Sequence, residues 1–414
     1  MDVVSLTEAL VAIPSHRGPD SDESAAGAFV ADWLRDHTDA AVNTDGHGNV
    51  IARKGSGEES LALVGHHDVV PPDESQVDAD DDYVVERREE RREADRSEAS
   101  ARASGSETTR GRQEADRSEA SARASGSETT RERLHGRGTA DMKGSLAAAM
   151  LAFADAAPTD GELVFASFAG EEQGGEGCQA AIADGFAVDS AVVVEGSTGY
   201  SAPGGDSSER RADSVTDVAV AHKGRRGSTI VAEGAAAHAS EVDAGTNAIY
   251  RATDAVDVLR NLDAPTTAVR GHELRGSVAV TEIDGGSAWN VVPERCEATV
   301  DERTVPGERA PIERAETVEG VSVRVDQDLP PMACGDAAFA DAVLDAARDA
   351  QEASPEHVVK PHATDAGWLA AAGTDCVVVG AAEPGEAHTA DESVSIEVLD
   401  RCRRIYDGVV AAWL

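Results

Sequence analysis

The stretch "SLALVGHHDVVP", from Ser60 to Pro71, begins as an apolar run and ends in two histidines and an aspartate. Such a run is typical of a strand buried in a parallel sheet. Because side chains alternate across a strand, His66 and Asp68 share one side and His67 points away. We therefore take His66 as a candidate metal ligand, Asp68 as the carboxylate that orients it, and His67 as a packing or hydrogen-bonding residue.

Apolar strands alternate with alanine-rich helical patterns on both sides of this stretch. The runs "GELVFASFAGEE" and "DSAVVVEGS" predict further buried strands, and "SLAAAMLAFADAA" predicts a helix between the strands. The end of the chain returns to this pattern with a helix, the strand "GTDCVVVGAA" and a last helix. The alternation predicts an α/β fold with a doubly wound, mostly parallel sheet.

Between these halves the pattern changes to short alternating segments around one helical pattern. We place a smaller α+β domain of the ferredoxin-like kind, with an antiparallel sheet, at residues 222–324. The larger domain then comprises residues 1–221 and 325–414.

Two stretches of the larger domain are interpreted as insertions. Residues 93–110 recur identically at 114–131, and residues 86–133 contain no Val, Ile, Leu, Met or aromatic residue. Such a stretch buries too little apolar surface to offset its ordering entropy, so we expect disorder or at best a solvated helix. Residues 204–214 form a second, shorter insertion.

The chain is strongly acidic, with 78 acidic and 37 basic side chains and a net charge of -41. Nucleic acid and anionic membranes repel such a surface, so we exclude both as partners. No apolar run is long enough for a transmembrane span, and the N-terminus lacks the features of a signal peptide. We expect a soluble, cytoplasmic protein. The acidic, lysine-poor composition further indicates a halophilic cytosol, where salt screens self-repulsion.

Histidine, aspartate and glutamate residues follow the predicted strands at their carboxyl ends, where ligands bind in open α/β sheets. Besides His66 and Asp68, the set comprises Asp141 in the loop "GRGTADMKGS", Glu171, Glu172, Glu195 and His388. Two histidines and several carboxylates without thiolates suit zinc, cobalt or manganese. The alternative is a set of separately solvated surface acids, which the repeated placement at strand ends disfavours.

Seven motifs, in this order, resemble the zinc-dependent aminoacyl hydrolases, a family that includes acetylornithine deacetylase, succinyl-diaminopimelate desuccinylase, aminoacylase and carboxypeptidase G. The motifs are "GHHDVVP", "GRGTADMKGSLAA", "AGEEQGGEG", "VVEGST", "GAAAHAS", "GGSAWNVVPERCEATVDER" and "AHTADE". The resemblance covers nearly the whole chain apart from the two insertions.

The resemblance implies two divalent metal ions, with zinc ahead of cobalt and manganese. One ion would be held by His66, Asp141 and Glu195, and the other by Asp141, Glu172 and His388, so that Asp141 bridges them. Glu171 would be the general base that takes a proton from the attacking water.

The resemblance also assigns catalytic and substrate-binding residues outside the ligand sets. His238 would reach the active site of the partner subunit in a homodimer and stabilise the oxyanion. The catalytic candidates are therefore three residues: Glu171, Asp68 and His238. Asn290 and Arg303 match positions that contact substrate, and Thr364 lies in "PHATDAG", similar to a loop that binds the substrate carboxylate. Ala363 replaces the usual glycine of that loop.

The implied reaction is hydrolysis of an N-acyl or peptide bond next to a free carboxylate. A biosynthetic deacylase of the acetylornithine deacetylase or succinyl-diaminopimelate desuccinylase type is the first hypothesis. A carboxypeptidase or dipeptidase is the second, and an inactive family member that serves as a binding protein is the third. The substrate would be a small N-acyl amino acid or a short peptide.

Overall fold

A computed structural model describes residues 1–18, 23–79, 82–91, 130–201 and 215–414. Most of the first predicted insertion and all of the second lie outside these residues. Within the described ranges, no helix combines the length and the apolar character that a membrane crossing requires.

Helices and strands are numbered in chain order. The helices are α1 (Val3–Val11), α2 (Ser24–His37), α3 (Gly144–Asp155), α4 (Glu176–Ala183), α5 (Ala248–Arg260), α6 (Ala337–Asp349), α7 (Ala366–Ala371) and α8 (Ile396–Trp413). The strands are β1 (Ala41–Thr44), β2 (Val50–Gly55), β3 (Glu59–His66), β4 (Glu86–Arg91), β5 (Thr130–His135), β6 (Gly161–Phe168), β7 (Ser190–Val193), β8 (Val218–His222), β9 (Gly224–Glu233), β10 (Ala237–His238), β11 (Thr266–Val269), β12 (His272–Arg275), β13 (Ser277–Gly285), β14 (Val291–Val292), β15 (Arg295–Thr304), β16 (Val321–Leu329), β17 (Met332–Ala333), β18 (His357–Lys360), β19 (Asp375–Val378) and β20 (Ser393–Ser395).

The large sheet has the strand order β1-β2-β6-β3-β7-β19-β8-β17, and β18 pairs with β8. Its four central strands, β6, β3, β7 and β19, run parallel. Leu61 and Leu63 of β3 join the core formed with α1, α2, α3, α6 and α8. Ala62 and Val64 face the core formed with α4 and α7 on the other side of the sheet. The predicted doubly wound α/β fold with a mostly parallel sheet is confirmed.

A second sheet is antiparallel throughout, with the order β13-β15-β9-β16, and α5 packs against it. Asn247 caps α5 by accepting hydrogen bonds from the amides of Ile249 and Tyr250. The strands span residues 224–329, so β16 runs past the boundary expected at residue 324. Strand β16 is longer than expected because it pairs with the ten-residue strand β9 as far as Leu329, which lies opposite Arg225.

A third sheet, β20-β5-β4, contains the two described ends of the first predicted insertion. Residues 86–91 and 130–133 are therefore strands, and the expectation of disorder or helix is wrong for them. Polar pairing compensates for the missing apolar residues. Arg87 forms two hydrogen bonds with Glu132 on the neighbouring strand, and Arg133 is buried in contact with Glu386 of a nearby loop. The rest of the expected insertion, residues 92–129, lies outside the described residues.

Candidate metal centre

Six predicted site residues lie at the carboxyl edge of the large sheet, where the parallel strands β6, β3 and β7 end side by side. His66 is the last residue of β3, and the turn after β6 carries Glu171 and Glu172. Residues that are far apart in the chain meet at such an edge. The six are His66, Asp141, Glu171, Glu172, Glu195 and His388.

Two of these residues reach the edge from loops. Asp141 lies in the turn Thr139–Lys143 that leads into α3, and His388 lies between β19 and β20. The backbone of His388 has a φ of 62°, in the left-handed region that is uncommon for residues other than glycine. Holding such a conformation costs on the order of 1–3 kcal/mol, so the surrounding structure must impose it.

The ligand atoms form two sets that share Asp141. In the first, Nε2 of His66 lies 3.2 Å from Oδ1 of Asp141 and 3.2 Å from Oε1 of Glu195. In the second, Nε2 of His388 lies 3.0 Å from Oδ2 of Asp141 and 3.0 Å from Oε1 of Glu172. Ligand atoms about 2.0–2.2 Å from one tetrahedral zinc lie roughly 3.4 Å apart, so this spacing suits a metal ion in each set.

Charge explains why the cluster favours cations. Burial disfavours the imidazolium of His66, but the neighbouring carboxylates hold the pKa of His66 well above its usual range. Hydrogen bonds to Asp141 and Glu172 raise the pKa of His388 to about 11. Burial opposes ionisation of Asp141, but hydrogen bonds from His388 and His66 keep its pKa below the usual range. Three carboxylates thus face two imidazoles, and this donor set fits two divalent ions.

Asp68 connects the first histidine to the turn after β6. Its Oδ1 lies 3.4 Å from Nδ1 of His66, and that nitrogen also lies 3.0 Å from the carbonyl oxygen of Asp68. The Asp68 carboxylate accepts hydrogen bonds from the amides of Glu171 and Glu172, each at 3.1 Å. Asp68 therefore orients the His66 imidazole and fixes the two glutamates at once.

His67 points away from the cluster, as the strand alternation predicts. Its Nδ1 lies 2.8 Å from Oγ of Ser167, and burial lowers the pKa of His67 to about 4. It is a neutral histidine of the core.

Glu171 stands beside the ligands without belonging to either set. Burial raises the pKa of the Glu171 carboxyl well above its usual range; nearby carboxylates add to this, while His66 opposes it. A carboxyl group that readily holds a proton is suited to general acid–base chemistry.

His238 and Asn290 lie together on the smaller domain. Strand β10, which ends at His238, pairs with β14, and the amide of Ala239 donates to the carbonyl oxygen of Asn290 at 2.9 Å. Nδ1 of His238 accepts the amide hydrogen of Ser240 at 3.2 Å, which leaves Nε2 to carry the proton. His238 is exposed, and in the part of the chain that the structure covers neither side chain hydrogen bonds to the candidate metal ligands.

Arg303 and Thr364 occupy different domains. The guanidinium of Arg303 holds the carboxylate of Asp301 in β15, with Nε to Oδ1 at 2.8 Å and Nη2 to Oδ2 at 3.4 Å. Thr364 is buried before α7, and its hydroxyl lies 3.2 Å from Nε2 of His222. Burial lowers the pKa of His222 to about 3, so this imidazole is neutral.

Two buried acids near the site escaped the sequence analysis. Asp365 follows Thr364, and burial raises its pKa to about 7. Glu392 follows His388 by four residues and hydrogen bonds to the backbone of the Asp141 loop. Asp365 lies within "PHATDAG" and Glu392 ends "AHTADE", but only the tertiary structure distinguishes them from the many surface acids.

Comparisons with known proteins agree with this geometry. The family model of peptidase family M20/M25/M40 matches residues 116–412. The chain is similar to the acetylornithine deacetylase of Myxococcus xanthus, with 26% identity over 403 residues that cover 93% of this chain and 88% of the relative.

Solved structures share the fold at low sequence identity. Aminopeptidase PepT from Bacillus cereus superimposes with a TM-score of 0.65 and 16% identity, covering 99% of this chain and 97% of that one. The YXEP protein of Bacillus subtilis, described as a dinuclear metal binding peptidase from the M20 family, gives a TM-score of 0.63 and 15% identity over 99% and 96% of the two chains.

Proposed function

This chain belongs to peptidase family M20/M25/M40 and is a hydrolase of amide bonds, and we propose that it is a two-metal deacylase of N-acyl amino acids. The observation that carries the proposal is the pair of ligand sets that share Asp141. The deacylase assignment is supported by the Myxococcus xanthus relative, because it matches 93% of this chain. The peptidase structures support the fold alone at their 16% and 15% identity.

We propose zinc as the metal, with cobalt or manganese as substitutes, because the donors are imidazole nitrogens and carboxylate oxygens. Held by these residues, such ions would lower the pKa of the attacking water and polarise the scissile carbonyl. Glu171 takes the proton from the attacking water and passes it to the amide nitrogen, so that the C–N bond breaks and the amine leaves neutral. Nε2–H of His238 donates to the carbonyl oxygen as it becomes negative.

We propose that Arg303 binds the free carboxylate of the substrate and that Asn290 and Thr364 make further contacts with the substrate. A guanidinium grips a carboxylate through two parallel hydrogen bonds, and Arg303 already makes this contact with Asp301. In the proposal the substrate carboxylate either replaces Asp301 as the acceptor of these two hydrogen bonds or shares them with Asp301.

Replacing Arg303 with alanine should raise KM for substrates with a free α-carboxylate while kcat changes little. Hydrogen bonds to charged groups contribute about 1.5–3 kcal/mol, which corresponds to roughly 10–150-fold in KM. The matched control is Arg295→Ala, because Arg295 lies on the same strand and pairs with Glu297 two residues away. The measurement is steady-state kinetics of both variants. An unchanged KM in Arg303→Ala would show that Arg303 does not bind the substrate carboxylate and is a surface charge of strand β15.

The proposal includes a homodimer formed through the smaller domain. Three large side chains of that domain expose much of their surface: Trp289 at 96%, Tyr250 at 69% and Ile283 at 53%. Exposed aromatic residues of this kind are enriched at protein interfaces. In such a dimer, the exposed His238 of one subunit would reach the active site of the other.

Mixing two inactive variants should test this arrangement. His238→Ala lacks the oxyanion donor and Glu171→Gln lacks the base, so we expect each homodimer to be nearly inactive. If His238 acts on the partner, every heterodimer contains one site with both groups, and partial activity returns. Activity is measured on heterodimers isolated with two affinity tags. No recovery in verified heterodimers would contradict the cross-subunit role.

The reaction itself is tested by a hydrolysis screen of N-acetyl-ornithine, N-succinyl-diaminopimelate, other N-acyl amino acids and dipeptides with zinc or cobalt. We expect N-acyl amino acids to be cleaved in preference to dipeptides. Because the acidic composition also leads us to propose a salt-rich cytoplasm, we expect higher activity in molar KCl than in dilute buffer. Preferred cleavage of dipeptides would favour the peptidase hypothesis, and absence of bound metal would favour a binding protein.

A further inference from the structure

Glu392 is a buried carboxylate that contacts the loop of the shared metal ligand. It is 1% exposed. Its Oε1 accepts three backbone amide hydrogens, from Gly138 at 2.9 Å, Ala140 at 3.0 Å and Asp141 at 3.2 Å. Its Oε2 forms an ion pair with Arg137. Among the described residues, the hydrogen bonds and the ion pair of this carboxylate are thus all made to residues 137–141, the segment that presents Asp141.

The backbone of Glu392 strengthens the same connection. The amide of Gly136 donates to its carbonyl oxygen at 3.1 Å. Gly138 has a φ of 86°, which a glycine adopts without strain and which turns the amides of this loop towards one point. Hydrogen bonds to an ionised acceptor are about twice as strong as neutral ones, so three amides on one carboxylate oxygen fix the loop firmly.

Glu392 also belongs to the loop that carries His388. Asp141 and His388 are ligands of the same proposed metal ion, yet they come from segments about 250 residues apart in sequence. One buried carboxylate joins these segments. We infer that Glu392 is a positioning residue that holds Asp141 and His388 at the spacing required for metal binding; this inference rests on the proposed function.

Glu386 offers an internal comparison. It lies in the same loop, two residues before His388, is 4% exposed and pairs with Arg133. Its other oxygen accepts the amide hydrogen of Glu383 at 2.9 Å. Glu386 therefore has the burial and the arginine partner of Glu392. Among the described residues, however, the hydrogen bonds and the ion pair of its carboxylate go to β5 and to its own loop, and none goes to the Asp141 segment.

The experiment compares Glu392→Gln with Glu386→Gln in the full chain. In Glu392→Gln, the side chain carries no negative charge, so it cannot form an ion pair with Arg137. The oxygen that accepts the three backbone amide hydrogens is then also uncharged. We expect cobalt(II) affinity to fall roughly 10–100-fold, as is typical when a group that orients metal ligands is changed. The visible spectrum of the bound cobalt should change as well. Glu386→Gln should keep the wild-type affinity and spectrum even if its Tm falls by a similar amount.

Wild-type affinity and spectrum in Glu392→Gln would overturn the inference, and so would an equal loss of affinity in both variants. If Glu392→Gln does not fold, Glu392→Asp replaces it, since the shorter side chain keeps the charge but cannot reach all three amides; wild-type cobalt affinity there would overturn the inference too. The wild-type protein separates this inference from the proposed function. If it binds no cobalt pair, the proposed function fails and the inference falls with it.

Discussion

Asp141→Asn should remove both metal ions in a single substitution. Asp141 gives one carboxylate oxygen to each ligand set, Oδ1 towards His66 and Oδ2 towards His388. The amide of asparagine keeps one weak oxygen donor and carries no charge. Because metal catalysis supplies several kcal/mol, turnover should fall by at least roughly a thousandfold. Elemental analysis of the purified variant and its kcat are the measurements.

Three variants give this prediction its controls. Glu195→Gln and Glu172→Gln should each weaken one site and spare the other, since each residue belongs to one set. Asp217→Asn should keep both ions, because Asp217 is a fully buried aspartate that accepts two backbone amide hydrogens outside the cluster. An ion held with normal affinity by Asp141→Asn would show that the site concerned does not use Asp141.

The convergence of the candidate ligands could be predicted because it follows from strand geometry. His66 ends a buried apolar strand, Glu172 and Glu195 lie shortly after the ends of β6 and β7, and neighbouring parallel strands end at one edge. The opposite roles of His66 and His67 follow from the same two-residue periodicity. The family resemblance added what periodicity cannot give, namely the proposed bridging place of Asp141 and the proposed division of roles between Glu171 and Glu172.

Other features depend on tertiary contacts that leave no local signal. The ends of the first insertion pair with each other as β4 and β5, and β5 is anchored by Arg133, whose buried partner Glu386 lies more than 250 residues away. Glu392 is one of 78 acidic residues, and only burial against the Asp141 loop distinguishes it. Contacts over such sequence distances are set by the assembled fold and not by local pattern.

Glu171→Gln and Glu172→Gln should differ sharply although the two residues are neighbours. Both backbone amides bond to the same Asp68 carboxylate, so general disturbance of the turn should be alike in the two variants. Glu172 lies 3.0 Å from His388 and belongs to a ligand set, whereas Glu171 belongs to neither. Glu172→Gln should therefore weaken one metal site, and added zinc should restore part of its activity.

Glu171→Gln should keep both ions and still bind substrate, because the variant changes no ligand. It should nevertheless lose at least roughly 10²–10⁴-fold in kcat, the usual contribution of a general base, since glutamine cannot take a proton from water. Excess zinc should not restore it. Metal content and kcat are measured on both variants side by side. Metal loss from Glu171→Gln with retention in Glu172→Gln would reverse the two roles. Near-normal turnover in Glu171→Gln would remove the base from the mechanism, leaving water activation to the metal ions alone.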